Sequence, residues 1–220
     1  RIWLNSPQYQ TLTLFIQILP FFCEFFVSLC QQIKEMNMIF NDITGDGRLW
    51  AVRFEGEQNN EFIKLFYNWR DAMWLRTFFK ENMNDLSSYF HITDIRQAID
   101  DTIDDSRRLR CIMLDISPEA DLDRIFRPLD NNQMAEMMLE KEKARLKQRI
   151  GHASWLRIYA IRLSDGVYII TGGAIKLTAT MQEREHTRME LVKMDRVRRF
   201  LLEENIIDDD GFVDYMSELE

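Results

Sequence analysis

The residues best suited to chemistry lie in one stretch, Ser154–Leu202, where arginine, lysine and tyrosine alternate with apolar residues. Such alternation is typical of a strand that shows one face to a core and the other to a partner. His186 could exchange a proton near neutral pH, because the unperturbed pKa of histidine is about 6.5. These residue types predict a surface for an anionic partner, and nucleic acid is the leading candidate.

Local turn and helix signals predict how this stretch is positioned. Asp165-Gly166 supplies the positive backbone angles of a tight hairpin turn. Gly172-Gly173 permits a second reversal, so we expect a three-strand antiparallel meander. An arginine-rich amphipathic helix over residues 185–204 should follow, and Phe212 should dock a last short helix against the body of the protein.

Charge is unevenly distributed along the 220 residues. The whole chain has a formal net charge of -8, which argues against a nonspecific nucleic-acid binder. Residues 141–199, however, hold 14 Lys and Arg against 6 Asp and Glu, whereas residues 203–220 hold 8 acidic residues and no basic ones. A basic segment that is followed by an acidic tail is consistent with a phosphate-binding surface that the tail can cover. Solvated helix faces and a solubilising tail are the structural alternative.

The remaining elements predict an α+β fold with one small, twisted antiparallel sheet that is built from an N-terminal strand and the three-strand meander. A strand over residues 48–54 precedes a helix over 60–82 and a second helix that starts at Thr93. Residues 133–150 are predicted to form a charged helix that ends at Gly151. The order is a strand, helices, a meander and a helix.

The first 35 residues are doubtful. Leu12–Cys30 is apolar and long enough to cross a bilayer, but Gln17, Pro20 and Glu24 interrupt it. A translated leader, a membrane anchor and a core helix remain open. With Cys111 as the one cysteine beyond this segment, a reducing compartment and a cytoplasmic location are expected.

The order of elements, together with Trp155-Leu156-Arg157, Gly166–Ile170 and Ile175-Lys176, resembles the RelE/ParE superfamily of toxin-antitoxin toxins, in particular the HigB-like and phage Gp49-like branch. The resemblance implies a single domain over residues 36–220, with a helical insertion over about 90–151. The insertion and the acidic net charge are departures from the family.

The resemblance also implies a function: a toxin that cleaves mRNA by attack of the 2′-hydroxyl on the adjacent phosphate, without a metal or other cofactor. Arg157 and Lys176 would form the electrostatic pair, with His186 as the third catalytic candidate. Its implied partners are a small antitoxin and, in addition, mRNA or the ribosome. No stable membrane partner is expected unless residues 1–35 belong to the protein.

RNA-binding roles follow from the same resemblance. The rings of Tyr159 and Tyr168 could stack on a base, and Arg184 and Arg188 lie where the sheet leads into the last long helix. Structural alternatives remain open: Tyr159 could be a core or rim aromatic residue, Arg157 could pair with a carboxylate of the acidic tail, and His186 could cap a helix or lie on the surface. A non-enzymatic protein-interaction module and a membrane-tethered protein are the alternative functions. The nuclease hypothesis requires the cationic groups to meet on one open surface.

Overall fold

The computed structural model describes residues 38–114, 122–129, 139–146, 152–164 and 166–219. These residues hold six α-helices and a six-stranded sheet, so the predicted α+β class is confirmed. The described elements belong to one compact unit, Ile39–Glu220.

The sheet is mixed. Its strands are Ile39–Asp42 (β1), Leu49–Arg53 (β2), Phe126–Pro128 (β3), Glu140–Ala144 (β4), Leu156–Ser164 (β5) and Val167–Ile175 (β6). They lie in the order β1-β2-β6-β5-β4-β3. Strands β2 and β6 are parallel, whereas the other neighbours are antiparallel. The prediction of a purely antiparallel sheet missed this pair, because the long helical connection between β2 and β6 permits parallel pairing.

A side-chain cap sets the boundary between the first two helices. The helices are Glu61–Asn68 (α1), Ala72–Glu81 (α2), Met83–Phe90 (α3), Ile95–Leu114 (α4), Glu185–Glu203 (α5) and Asp209–Glu218 (α6). The single helix predicted over 60–82 is two helices, because Oδ1 of Asp71 accepts hydrogen bonds from the amides of Met73 (2.8 Å) and Trp74 (3.1 Å) and starts a new helix.

Two helices cover opposite faces of the sheet. Leu65 of α1 belongs to a buried cluster that includes Leu49, Ile158 and Ile170, and this side is called the α1 face. Glu190 of α5 lies over Gly172 on the other side, called the α5 face. Successive strand residues point to opposite faces. Helix α5 and the docking of Phe212 (1% exposed) agree with the sequence predictions.

The predicted turn at Gly172-Gly173 is wrong, since both glycines lie inside β6, which continues to Ile175. A Cβ atom on Gly173 would lie 2.5 Å from the main-chain oxygen of Arg157 and 2.8 Å from Cδ1 of Leu65. Glycine is needed here for close approach between strand and helix, not for a reversal. The meander is therefore a two-strand hairpin.

The charged helix predicted over 133–150 is also wrong where it can be compared, because Glu140–Ala144 form β4. The sequence Glu-Lys-Glu-Lys alternates charge with period two, which places both lysines on one face of the sheet and both glutamates on the other. The two-residue alternation of charge in this segment indicated a strand, whereas the high proportion of charged residues suggested a helix.

The predicted apolar segment over residues 1–35 lies outside the described residues, and so does Asp165 of the predicted hairpin turn. Among the helices that the structure describes, none has the length and apolar character that a bilayer crossing requires.

Candidate anion-binding site at the open end of the sheet

Strands β5 and β6 bring Arg157 and Lys176 together. Arg157 pairs with Ala174 in the antiparallel register, and the amide of Lys176 donates to the carbonyl of Trp155 (2.8 Å). Lys176 follows Ala174 by two residues, so its side chain lies on the same α5 face as that of Arg157. The two predicted catalytic cations are therefore neighbours at the open end of the β5–β6 hairpin.

Both cations donate hydrogen bonds to main-chain carbonyls. Nη1 of Arg157 donates to the carbonyls of Ser154 and Leu156, each at 2.7 Å. Nζ of Lys176 donates to the carbonyls of Thr178 (2.7 Å) and Ala179 (2.5 Å). A carbonyl offers only a partial negative charge, so these bonds orient the two side chains and leave most of their positive charge uncompensated.

The electrostatics agree with an excess of positive charge. Burial lowers the pKa of Arg157 to about 10, and Arg145 adds to this effect. Burial also lowers the pKa of Lys176, with further lowering by Arg157 and Lys143 and an opposing effect from Glu183. Lys143, Arg145, Arg157 and Lys176 are called the cationic cluster below. An anion placed among them would relieve their mutual repulsion.

Strand β4 supplies two members of the cluster that the sequence analysis missed. Lys143 lies opposite Tyr159 in the β4–β5 register, and Arg145 follows two residues later. Both therefore share the α5 face with Arg157. The spacing Lys-x-Arg was visible in the sequence, but the helix predicted over this segment would have scattered the two side chains.

His186, at the start of α5, lies against the main chain that precedes Lys176. Its Nε2 contacts the carbonyl of Ile175 at 3.0 Å, and its ring meets the edge of Phe78 at 5.2 Å. A carbonyl can only accept, so Nε2 carries the hydrogen. In the neutral ring, Nδ1 is then left as a proton acceptor. This arrangement suits a general base beside Lys176.

Tyr159 is a core aromatic residue, as its structural alternative predicted. Its side chain is 1% exposed and lies beneath the cluster on the α5 face. Burial raises the pKa of Tyr159, and Arg157 opposes the shift. Among the described residues, no group forms a hydrogen bond with its hydroxyl. The ring has no open face, so the predicted stacking on a base does not fit this conformation.

Tyr168 lies on the other side of the sheet. It pairs with Leu49 of the α1 face, stacks on Phe126 at 4.3 Å and donates its hydroxyl to Asp123. With 1% of the residue exposed, the predicted role as a stacking platform for RNA does not fit its position. The sequence showed two tyrosines on neighbouring strands, but only the register places them on opposite faces.

The predicted RNA-binding arginines of α5 are ion-paired. Arg184 forms two hydrogen bonds with Asp85, at 2.6 and 2.5 Å. Arg188 pairs with Glu185 on the exposed surface. Farther along α5, the guanidinium of Arg196 lies 5.0 Å from the ring centre of Phe54. The helix therefore adds little unpaired positive charge to the cluster, in contrast to the hypothesis that strand and helix cations meet.

A buried ionic group that the sequence analysis missed lies under the same site. Nζ of Lys193 donates to Glu190 (2.8 Å) and Glu61 (2.9 Å), both of which are buried. Burial raises the pKa of Glu190 to about 7, with Lys193 acting in the opposite direction. The helical spacing of residues 186, 190 and 193 was the available signal, since it places them on one side of α5.

Within the described ranges, no three His, Cys, Asp or Glu side chains are grouped as a metal site requires. Comparison with known proteins identifies no relative: no family model matches the chain, and neither a curated protein nor a solved structure shows significant similarity to it. The resemblance to the RelE/ParE superfamily therefore stays a prediction.

Proposed function

We propose that the chain binds RNA, with a phosphodiester held by Arg157 and Lys176. One observation carries this proposal: two half-buried cations share a face at the end of the sheet, repel each other and donate to main-chain carbonyls. Phosphate oxygens would replace this weak compensation with charge-assisted hydrogen bonds, each worth about 1.5–3 kcal/mol. A partner rich in phosphodiesters satisfies this requirement better than a neutral one.

The same geometry supports cleavage, in the manner of a toxin of the RelE/ParE type. Nδ1 of His186 would take the proton of the RNA 2′-hydroxyl as the O2′–P bond forms. Arg157 would stabilise the phosphorane charge. Lys176, whose pKa is lowered chiefly by burial, would donate a proton to the 5′-oxygen as the P–O5′ bond breaks. The products would be a 2′,3′-cyclic phosphate and a 5′-hydroxyl end.

A small antitoxin remains the proposed partner, and the cytoplasm the proposed location. An antitoxin that inhibits this chemistry would have to cover the cationic cluster, and acidic side chains would suit that role. The alternative function is a non-enzymatic interaction module. It is favoured by the ion pairs of Arg184 and Arg188, because those contacts leave the cluster small for a nuclease surface.

Cleavage of a labelled single-stranded RNA, with and without ribosomes, tests the proposal. We expect Arg157→Ala, Lys176→Ala and His186→Ala each to lower the rate by about 100-fold or more. Arg188→Ala is the matched control, since it removes an exposed, paired arginine and should cut at the wild-type rate.

The substrate supplies a second control. An oligonucleotide with deoxyribose at every position lacks the attacking hydroxyl and should stay intact. Binding of RNA by the wild type without cleavage under either condition would support the phosphodiester site and contradict the cleavage, whereas failure to bind RNA would favour the protein-interaction module. Cleavage that survives the three alanine substitutions would contradict the assigned residues.

A further inference from the structure

Glu190 lies at the contact between α5 and the sheet. The geometry around Gly172 defines its position: a Cβ atom there would lie 1.9 Å from Oε2 of Glu190 and 3.3 Å from Nζ of Lys193. Only glycine at position 172 allows the carboxyl group of Glu190 to contact the main chain of β6. Glu190 is 5% exposed, so its charge is largely removed from water.

Charged and titratable groups face Glu190 from three elements. Helix α5 contributes Lys193, α1 contributes Glu61, and β5 contributes the hydroxyl of Tyr159. Strand β6 contributes the side-chain-free Gly172. The Gly173 amide lies close enough to lower the pKa of Glu190 slightly, but it makes no hydrogen bond of normal geometry with Oε2.

The ion pairs form a chain with one more acid than base. Glu61 shares Lys193 with Glu190, and its other oxygen accepts from Lys64 at 2.9 Å. Lys64 also binds Glu57 at 2.9 Å. Three carboxylates thus share two ammonium groups, and Glu190 lies at the buried end. A proton on Glu190 would make this chain neutral.

Tyr159 connects Glu190 to the cationic cluster. Both Arg157 and Glu190 act electrostatically on its hydroxyl, in opposite directions. Arg157 and Glu190 therefore both lie near the hydroxyl of Tyr159. An anion on Arg157 would add a second negative charge close to that of Glu190, in a poorly solvated region where such repulsion is strong.

We infer that an anion binds at the cationic cluster together with a proton, which Glu190 takes up. This inference rests on the proposed phosphodiester site, although it concerns the protonation that accompanies binding rather than cleavage. Because burial holds the pKa of Glu190 at about 7, the proton can be gained near neutral pH. Affinity should then fall as pH rises from 6 to 8, because ionising Glu190 opposes the anion.

Titration calorimetry in two buffers of different ionisation enthalpy measures the protons taken up. The probes are an oligouridylate, whose phosphodiesters and bases keep one protonation state between pH 6 and 8, and inorganic sulfate. We expect the wild type to take up a fraction of a proton at pH 7. In a His186→Gln background, which removes the histidine on the same side of α5, Glu190→Gln should bind without uptake and with an affinity that is flat across this pH range.

Glu142→Gln is the matched control. Glu142 is a second buried carboxyl whose pKa burial raises to about 7, but it lies on the α1 face near Asp123 and Arg162. This variant should keep the wild-type uptake. Gly172→Ala is a second variant: it pushes the carboxyl away from the strand and should reduce the uptake while the glutamate is retained.

The outcomes separate this inference from the proposed function. Binding of RNA without proton uptake, or with uptake that survives Glu190→Gln, would overturn the inference and leave the proposed function standing. Sulfate binding with Glu190-dependent uptake but no RNA binding would support the inference and contradict the function. Failure to bind either probe would overturn both.

Discussion

At the turn end of the β5–β6 hairpin, Tyr168 donates to Asp123, and Nη1 of Arg162 lies 3.9 Å from a carboxylate oxygen of Glu140. At the open end, Arg157 and Lys176 donate to main-chain carbonyls and repel each other. The same two strands thus hold their polar groups differently: acids and bases pair at the turn end, whereas at the open end Arg157 and Lys176 repel each other and Glu183 offsets only part of this effect on Lys176. In a chain with a net charge of -8, carboxylates are abundant, so the open end is the unusual one and points to an anion from outside.

The largest expected effect is on the packing of the open end. Gly173→Ala should destabilise the protein by about 3 kcal/mol, because the new methyl group would meet the main-chain oxygen of Arg157, which cannot move aside. Urea unfolding measures this change.

Two other glycines sharpen the comparison. Gly166, at the turn end, has φ +77 and open space around it, so Gly166→Ala should cost only about 1 kcal/mol through backbone strain. Gly172→Ala should cost more than Gly166→Ala, because its backbone angle (φ +159) also strains an alanine and the new Cβ atom would displace the buried carboxyl group of Glu190. Equal losses at 166 and 173 would contradict the close approach inferred at the open end.

The next effect is a pH dependence that both ends share. Burial raises the pKa of Glu142 and of Glu190 to about 7 from a usual value of 4.5. The folded state therefore holds these protons more tightly than the unfolded state. Each group therefore contributes to the free energy of unfolding below pH 4.5, and this contribution is lost as the pH rises through 7. Between pH 5 and 8 the loss is about 2 kcal/mol for each group.

Thermal unfolding of the wild type, Glu142→Gln and Glu190→Gln across this pH range provides the test. Each single variant should remove about half of the pH-dependent loss, and the double variant should remove most of it. A wild-type loss that persists undiminished in the double variant would show that other groups carry the proton linkage.

A smaller effect distinguishes the two tyrosines. Tyr168→Phe should cost about 1 kcal/mol, because it removes a donor from the carboxylate of Asp123. Tyr159→Phe should cost nothing or stabilise the fold, since the lost hydroxyl makes no hydrogen bond among the described residues. Free energies of unfolding in urea measure both changes, and a loss at Tyr159 as large as at Tyr168 would reveal a partner for its hydroxyl.

Local signals in the sequence predicted the elements that depend on local structure. The positive backbone angle at Gly166, helix α5 and the docking of Phe212 follow from backbone preference and from apolar spacing, and the structure agrees with them. Arg157 and Lys176 were paired by the family resemblance alone, because the predicted reversal at Gly172-Gly173 placed Lys176 on a third strand rather than at the end of β6.

Features that depend on long-range contacts were not predictable. Nothing local distinguishes a glycine required by a turn from Gly173, which is required by the approach of α1. The opposite faces of Tyr159 and Tyr168 depend on register, and the importance of Glu190 depends on a lysine and a glutamate from two helices. Arg184 is paired with Asp85, which lies 99 residues away in sequence.

The central claim is that Arg157 and Lys176 contact phosphate, and the salt dependence of RNA affinity tests it most directly. Each phosphate contact on a single strand contributes about 0.7 to the slope of log K against log salt. The double variant Arg157→Ala/Lys176→Ala should therefore bind single-stranded RNA more weakly, with a slope shallower by about 1.4. The control Arg107→Ala/Arg188→Ala removes the same charge from exposed ion pairs and should keep the wild-type slope. Equal slopes for the two double variants would contradict the account.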